Sequence, residues 1–477
     1  MYQWFDHILL HSRTRSEQPA MIMEDRVVTY GMLGVVIENT ARRLAALDIA
    51  PGALVAVLVA NPIRHLALCL ALFRIGVRSI SLEHSQQGLG ALKFAAVLGD
   101  AEAKALLGPS SHVVEVTDGW FSLEPVSGAA LPESFSDEAQ ICRSGLTSGT
   151  TGTPKLFDYS VGHIGRHIPA AIVDDCRRVL DMPGLSAAWG FRAACAALAT
   201  GKAVCFATSA FQAIRMIELF AIDCALTGTE QLVALTRLAK KTGATLSSLR
   251  TVVVGGGVPT RALLDAAAMN FCRDIRCRYG SSEFGIIAEA RPADVMAHPG
   301  LVGRIVPGIE VGVFDAQGVR CAAGQAGFIK GRLKGNSEEA RADPARPWID
   351  FGDVGWVTAD GRLFVVGRSA DIADPAHAAA RQISPAHEVE HLLRLEWDAS
   401  DAAAIAIEDA SPNTKPEIWI ATVDCKDARA EKLQAILRQR GIEATVRLFP
   451  MQSIPRGTNG KVQRAQLKSL MLAATSR

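Results

Sequence analysis

Along the first part of the chain, apolar positions follow two rhythms that take turns. Val28 to Tyr30 is extended in pattern and leads into Leu33, Val36, Ile37, Ala41, Leu44 and Leu47, a helical spacing that predicts a strand followed by an amphipathic helix. Pro51-Gly52 breaks the run. Beyond it, Val55–Val59 predicts a buried strand, residues 62–76 a helix, 77–82 a strand and 86–98 a further helix. Strands alternating with helices in this way predict a parallel sheet covered on both faces.

Residues 109–140 are looser, with Gly, Ser and Pro interspersed. Strand and helix patterns then resume: strand 203–207, helices 211–221 and 230–242, and an apolar strand over 249–254 that ends in Gly255-Gly256-Gly257. A nucleotide can lie against bare backbone at the carboxyl end of such a strand. A short strand over 275–279 then delivers Tyr-Gly-Ser-Ser-Glu at 279–283.

Between 300 and 367 the texture becomes short alternating runs separated by glycines, which predicts β-structure rather than βαβ units. Residues 369–383 lack periodicity and place a domain boundary after Arg368. The remainder predicts a compact α+β unit with helix 386–395, strands 403–407 and 417–423, helix 427–440, strand 443–448 and a terminal helix. The expected fold class is thus multidomain α/β. A large domain at 1–368, built of βαβ-type parallel sheets plus a small β-subdomain, precedes a small α+β domain at 369–477.

The chain has 477 residues, more than one hydrophobic core usually serves. Its net charge of +1 gives no global attraction for nucleic acid or an anionic membrane, so partners must be argued from sites. The first residues do not read as a signal peptide, and the apolar run at 66–72 is too short to span a bilayer. The 10 cysteines are scattered, Cys272 and Cys277 being the tightest pair, which suits reduced core thiols in a cytoplasmic protein.

Candidate chemistry centres on residues 146–155, LTSGTTGTPK. Its hydroxyl side chains compete for backbone hydrogen bonds, its glycines permit positive φ, and Pro154 ends any element, so a loop is expected. Thr147, Ser148, Thr150, Thr151 and Thr153 offer hydroxyl donors, Gly149 and Gly152 expose backbone N–H groups, and Lys155 adds charge, a combination suited to phosphate. It is not a Walker A sequence, because Pro154 precedes Lys155 and Leu156 follows. Composition alone fits a flexible surface linker equally well.

LTSGTTGTPK, the glycines before Val258-Pro259, YGSSE, FGD with a later GR, and NGKVQR near the end together resemble the ANL superfamily of adenylate-forming enzymes. That superfamily includes acyl- and aryl-CoA synthetases, peptide-synthetase adenylation domains and luciferases. The resemblance implies a small, mobile C-terminal domain and two-step chemistry. A carboxylate attacks the α-phosphate of ATP to give an acyl-adenylate and pyrophosphate, and a thiol then takes the acyl group. Because two anions meet and charge develops at phosphorus, positioning and cationic donors should dominate catalysis.

Carried onto this sequence, the resemblance assigns Thr147, Ser148, Gly149, Thr150, Thr151, Gly152 and Lys155 to the β- and γ-phosphates. Gly256, Gly257 and Val258 enclose adenine with Tyr279, which stacks on it; Gly280 adjoins the nucleotide and Ser282 the α-phosphate. Glu283 and Thr147 hold Mg²⁺. Asp353 takes both ribose hydroxyls with help from Arg368, and Lys461 bridges carboxylate and α-phosphate as the main catalytic residue. Ser186, Trp189 and Gly255 fall by the acid pocket. The expected cofactors are ATP, Mg²⁺ and coenzyme A, and the expected substrate is a small-molecule carboxylic acid without an α-ammonium, its size left open.

Two departures bear on the acceptor. The hinge position of the family is Ala370 here, and residues 371–384 have neither the lysine nor the glycine expected before the Pro385 turn. A carrier protein or another acceptor is therefore the alternative to coenzyme A. A rival of another class is a zinc hydrolase, because His387-Glu-Val-Glu-His391 matches HExxH. Its overlap with the turn expected of the small domain favours exposed helix histidines instead.

Overall fold

The computed structural model describes residues 4–84, 92–107, 112–128, 130–147, 155–173, 175–257, 259–298, 300–333, 347–369, 372, 386–397, 399–407, 417–425, 429–439, 443–456 and 462–475. The chain divides into two compact units. The first comprises residues 1–227, 246–250 and 282–286; the second comprises 228–245, 251–281 and 287–477.

The first unit begins with α1 (Trp4–Thr14), β1 (Pro19–Met23), β2 (Arg26–Thr29), α2 (Tyr30–Ala45), β3 (Leu54–Leu58), α3 (Pro62–Arg74) and β4 (Arg78–Ser81). Then come β5 (Ala96–Gly99), α4 (Ala101–Leu107), β6 (Val113–Glu115), β7 (Ile141–Thr147), β8 (Lys155–Ser160), α5 (Val161–Ala171) and β9 (Arg178–Asp181). It closes with α6 (Ala188–Ala199), β10 (Ala203–Phe206), α7 (Ala210–Phe220) and β11 (Cys224–Gly228). One sheet has the order β6-β5-β3-β4-β7-β8, parallel except for the β7–β8 hairpin, and the other strands run β11-β9-β10-β1-β2.

Local signals explain the helices. Thr29 caps α2 by accepting from the Met32 N–H, and Asn61 caps α3 from the Arg64 N–H with Pro62 as first helical residue. Ala56, Leu58, Ile80, Leu82, Val97 and Ala103 form a core between β3, β4, β5 and α4. Val97 corrects the sequence expectation of a helix over 86–98: residues 96–99 are the buried strand β5, and residues 85–91 lie outside the described part. A short, uniformly apolar run buried on both faces has no period by which strand and helix differ. The stretch 109–140 also holds more structure than expected, namely β6 and a 3₁₀ turn over 118–121.

The second unit continues with α8 (Thr229–Thr242), β12 (Thr251–Gly255), α9 (Arg261–Asn270), β13 (Asp274–Ser281), β14 (Gly285–Ala290), α10 (Pro292–Ala297) and β15 (Leu301–Ile305). There follow β16 (Ile309–Phe314), β17 (Gly327–Leu333), β18 (Ile349–Val357) and β19 (Arg362–Arg368). The strand order is β12-β13-β14-β15-β19-β18-β17-β16; β15 to β19 are the β-structure expected over this stretch and pair antiparallel. Last come α11 (Ala386–Glu396), β20 (Asp401–Ile407), β21 (Glu417–Val423), α12 (Ala430–Gln439), β22 (Thr445–Pro450) and α13 (Arg464–Thr475), with a three-stranded sheet β20-β21-β22.

Within this unit the last segment packs on α9. Val389, Leu392 and Leu393 share a core with Ala262, and Glu388 accepts the Ala262 N–H at 3.1 and 3.3 Å. Thr260 caps α9 by accepting the Leu263 N–H, and its hydroxyl is hydrogen-bonded to His391 Nδ1, 2.7 Å away. The expectation of exposed histidines at 387 and 391 is overturned: His391 is buried and its pKa falls to about 3 through desolvation. The HExxH string is an architectural network. His387 Nε2 accepts from the Arg464 guanidinium at 3.0 Å, so a cation already sits where the zinc reading needs a metal.

Candidate functional site

The second unit carries the residues expected to meet a nucleoside. β12 runs into Gly256, which has φ of +72° and would leave nothing within 4 Å of an added Cβ, so a flat group has room there. Gly257 is held close to α8: a Cβ would meet the Thr229 hydroxyl at 2.6 Å. Val258 lies outside the described residues.

β13 carries Tyr279, whose side chain reaches Asp353 on β18 although three strands stand between the two in the sheet order. The Tyr279 hydroxyl donates to Asp353 Oδ2 at 2.6 Å, while Arg368 Nη1 is 3.3 Å from Asp353 Oδ1. Asp353 and Arg368 are Cα partners across β18 and β19, and Arg368 also donates to the Phe351 carbonyl at 3.2 Å. Burial and the Asp353 carboxylate hold the Tyr279 phenol well above its ordinary pKa, so it remains a donor. Tyr279, Asp353 and Arg368 are thus brought together as expected, with the phenol acting as a hydrogen-bond donor in addition to offering a ring; Gly280 follows on the same strand.

In the first unit, the β7–β8 hairpin closes with Thr147 opposite Lys155, at the two ends of the hydroxyl-rich loop. Residues 148–154 lie outside the described part, as do Ala370, Lys461 and all of 371–384 except residue 372. Behind the hairpin, the buried Arg143 stacks 3.4 Å from the Phe191 ring centroid and donates to Ser79, Ser81 and the Leu185 carbonyl, at 3.3, 2.7 and 2.8 Å. His65 lies 2.6 Å from Ser81 in the same cluster. Burial raises the Cys69 thiol, but the His65 hydrogen bond and the Arg143 charge outweigh it and bring the pKa to about 7.

The Leu185 carbonyl belongs to the segment expected to line the acid pocket. Gly184 has φ of +81° there, Ser186 donates to Glu83, and the buried Trp189 indole N–H has no partner among the described residues. At the start of the segment the fully buried Asp181 accepts the Gly184 N–H, and desolvation lifts its pKa to about 7.

Ser282 and Glu283 fall beside α5 and α6. Arg192, buried within an otherwise apolar helix, donates to the Ser282 carbonyl at 3.4 Å, and Tyr159 hydrogen-bonds the Ser282 side chain. Burial depresses the Arg192 pKa, with Glu283 and Tyr159 opposing that shift. His163 and His167, 4.7 Å apart between ring centroids, are desolvated to pKa values of about 3 and so are neutral. Arg143, Arg192 and Tyr159 escaped the sequence reading. The available signal was a charged residue inside an apolar run, at ICRSGL and at AWGFRAACA.

Among the described residues no helix is long and apolar enough to cross a membrane, and no three His, Cys, Asp or Glu side chains gather as a metal site. In the second unit Asp353 is a buried carboxylate acceptor, and in the first unit Glu283 offers a hard oxygen, the donor type that suits magnesium better than a soft metal.

This fold is that of the adenylate-forming enzymes. It superposes on an o-succinylbenzoate–CoA synthetase from Bacillus subtilis, bound to its acyl-adenylate, with TM-score 0.77 and 21% identity over 98% of each chain. An amide bond synthetase from Marinactinospora thermotolerans matches with TM-score 0.74 and 23% identity over 98% of this chain and 99% of that one. In sequence, a 2-succinylbenzoate–CoA ligase of Bacillus subtilis (strain 168) is 24% identical over 97% of both chains. A 4-coumarate–CoA ligase of Vanilla planifolia is 26% identical over 48% of this chain and 44% of that protein. The AMP-binding enzyme family matches residues 10–333, and the chain belongs to it.

Proposed function

We propose that this enzyme activates a carboxylic acid with ATP, forming an acyl-adenylate and pyrophosphate, and transfers the acyl group to a thiol, coenzyme A. The observation that carries the reading is the end-to-end correspondence with the 2-succinylbenzoate–CoA ligase, 97% of both chains. Asp353 takes the ribose hydroxyls, steadied by Tyr279 and Arg368; Gly256, Gly257 and Val258 flank adenine; residues 147–152 with Lys155 take the outer phosphates. Glu283 with Thr147 would hold Mg²⁺, which when bound offsets phosphate charge. Lys461, on a small domain spanning 369–477, draws carboxylate and α-phosphate together. We place the enzyme in the cytoplasm, which the free state of Cys69, Cys142, Cys176 and the other cysteines supports.

A second reading is favoured by Ala370 and residues 371–384, which lack the family's usual features for a pantetheine path, and by the likeness to an amide bond synthetase. In that reading an amine or a carrier-protein thiol accepts the acyl group. Purified enzyme with ATP, magnesium and a panel of carboxylic acids is tested for AMP release alone, with coenzyme A, with a carrier protein and with simple amines. Acid-dependent AMP that rises with coenzyme A supports the first reading; a rise with amines or carrier protein alone supports the second. No AMP from any acid overturns both.

A further inference from the structure

Cys176 and Cys224 meet in the first unit at the opposite end of β9 from the acid-pocket segment. Cys176 lies two positions before β9, Cys224 opens β11, and the two strands run parallel with Cys224 aligned to Val179. The Cys224 side chain is within hydrogen-bonding reach of the Cys176 sulfur. Cys176 stands three positions before Val179, so the two side chains meet diagonally, sulfur to sulfur, rather than as direct cross-strand neighbours. The Asp223 carboxylate, next to Cys224, accepts the N–H groups of Arg177 and Arg178 at 3.0 and 2.9 Å, which locks the two segments side by side.

A cation completes the site. Lys202 Nζ is 3.8 Å from Cys176 Sγ and donates to the Val173 carbonyl at 2.9 Å, the carbonyl that Cys176 Sγ also meets at 2.8 Å. The Cys224 hydrogen bond first, and the Lys202 charge after it, pull the Cys176 thiol below its ordinary pKa against burial and the Asp223 charge, which both oppose them. Burial pushes Cys142, despite the charge of Arg143 beside it, and Cys277 up to about 12. Cys176 keeps 6% of its surface exposed and Cys224 none, so only a small reagent can reach the pair.

We propose that Cys176 and Cys224 are a peroxide-sensitive dithiol, with Cys176 attacking and Cys224 resolving. The Cys176 thiolate attacks one oxygen of hydrogen peroxide, the O–O bond breaks, and water leaves with a sulfenic acid formed on Cys176. The Cys224 sulfur then attacks Cys176, the S–O bond breaks and a second water leaves. Two thiols supply two electrons, one peroxide becomes two waters, and one disulfide remains. The bridge fastens the entry of β9 to that of β11, and an external dithiol reverses it.

The test uses the reduced, full-length protein, brief hydrogen peroxide, alkylation and peptide mapping. The expected result is a Cys176–Cys224 linked peptide that dithiothreitol removes, with a loss of two thiols from the 10 in the chain. Cys224→Ser should leave Cys176 as a sulfenic acid captured by dimedone. Lys202→Met should slow linkage roughly fivefold or more through the smaller thiolate fraction, and Lys202→Arg should restore most of the rate. Linkage between other cysteines, linkage only in denaturant, or oxidation that leaves Cys176 and Cys224 reduced in the folded protein overturns the proposal.

Discussion

The Tyr279 hydroxyl donates to Asp353 Oδ2 at 2.6 Å, so the ring proposed to face adenine and the carboxylate proposed to hold the ribose are one mechanical unit. Tyr279→Phe keeps the ring and loses only this bond. It should weaken ATP binding by about 1.5 kcal/mol, and Asp353→Ala by about 1.5 to 3 kcal/mol, the range for hydrogen bonds to a charged group. In calorimetric titration the double variant should lose less than the sum of the two. Additive losses would mean that the phenol does not act through Asp353.

Arg143 holds together Ser79, Ser81, the Leu185 carbonyl and the Phe191 ring. Arg143→Met leaves those polar groups buried without their donor and should destabilise the fold by about 3 kcal/mol in urea unfolding. Arg143→Lys keeps the charge but not the planar fork, and should fall between the two. A methionine variant as stable as the parent would show that the cluster is indifferent to the guanidinium.

Asp181 has a folded pKa of about 7 against a model-compound value of 3.8. Between those values the folded state holds a proton that the unfolded chain has released, so this group subtracts stability as pH rises, and the loss levels off above 7. Asp181→Asn should therefore gain on the parent by about 1.4 kcal/mol per pH unit across that window. Thermal unfolding at pH 5 and pH 8 checks it: a gap of equal size at both would refute the assignment.

His163, His167 and His391 have the opposite sign, with folded pKa values of about 3 against 6.5 when exposed. The unfolded chain takes up protons below 6.5 that the fold refuses, so stability is complete above 6.5 and drains away as pH falls toward 3. Each histidine should contribute about 1.4 kcal/mol per pH unit there. His391→Gln should flatten the acid limb of denaturant titrations by about that amount, while leaving the alkaline side unchanged.

Lys461→Ala should slow acid-dependent pyrophosphate exchange by roughly 10²-fold, the scale for removing one preorganised electrostatic group, with ATP affinity nearly unchanged. Exchange at the parent rate would remove Lys461 from the chemistry.

Much of this was legible in the residues. The βαβ alternation and the β-structure after residue 300 follow from periodicity, and the convergence of Tyr279, Asp353 and Arg368 from the resemblance to the adenylate-forming enzymes that the short motifs carry. What escaped is instructive. β5 was read as helix because Ala96, Val97 and Leu98 are all buried and carry no period. His391 was read as exposed because the surface that covers it, the start of α9, lies 131 residues earlier, and a helix pattern registers only that one face is buried and not what buries it. Arg143 and Arg192 escaped because a lone arginine in an apolar run signals an exception without naming its partners, which are backbone carbonyls, hydroxyls and an aromatic ring.

The cap that Glu388 places on the first turn of α9 comes from 126 residues downstream. Shortening the protein before residue 386 therefore does more than remove a tail. It strips the carboxylate that accepts the Ala262 N–H in the first turn of a helix that begins just beyond the glycines at 255–257. A truncated form with poor nucleotide affinity would accordingly report frayed packing beside those glycines as well as the absence of Lys461, and the two are separated by comparing it with an intact chain bearing Glu388→Gln.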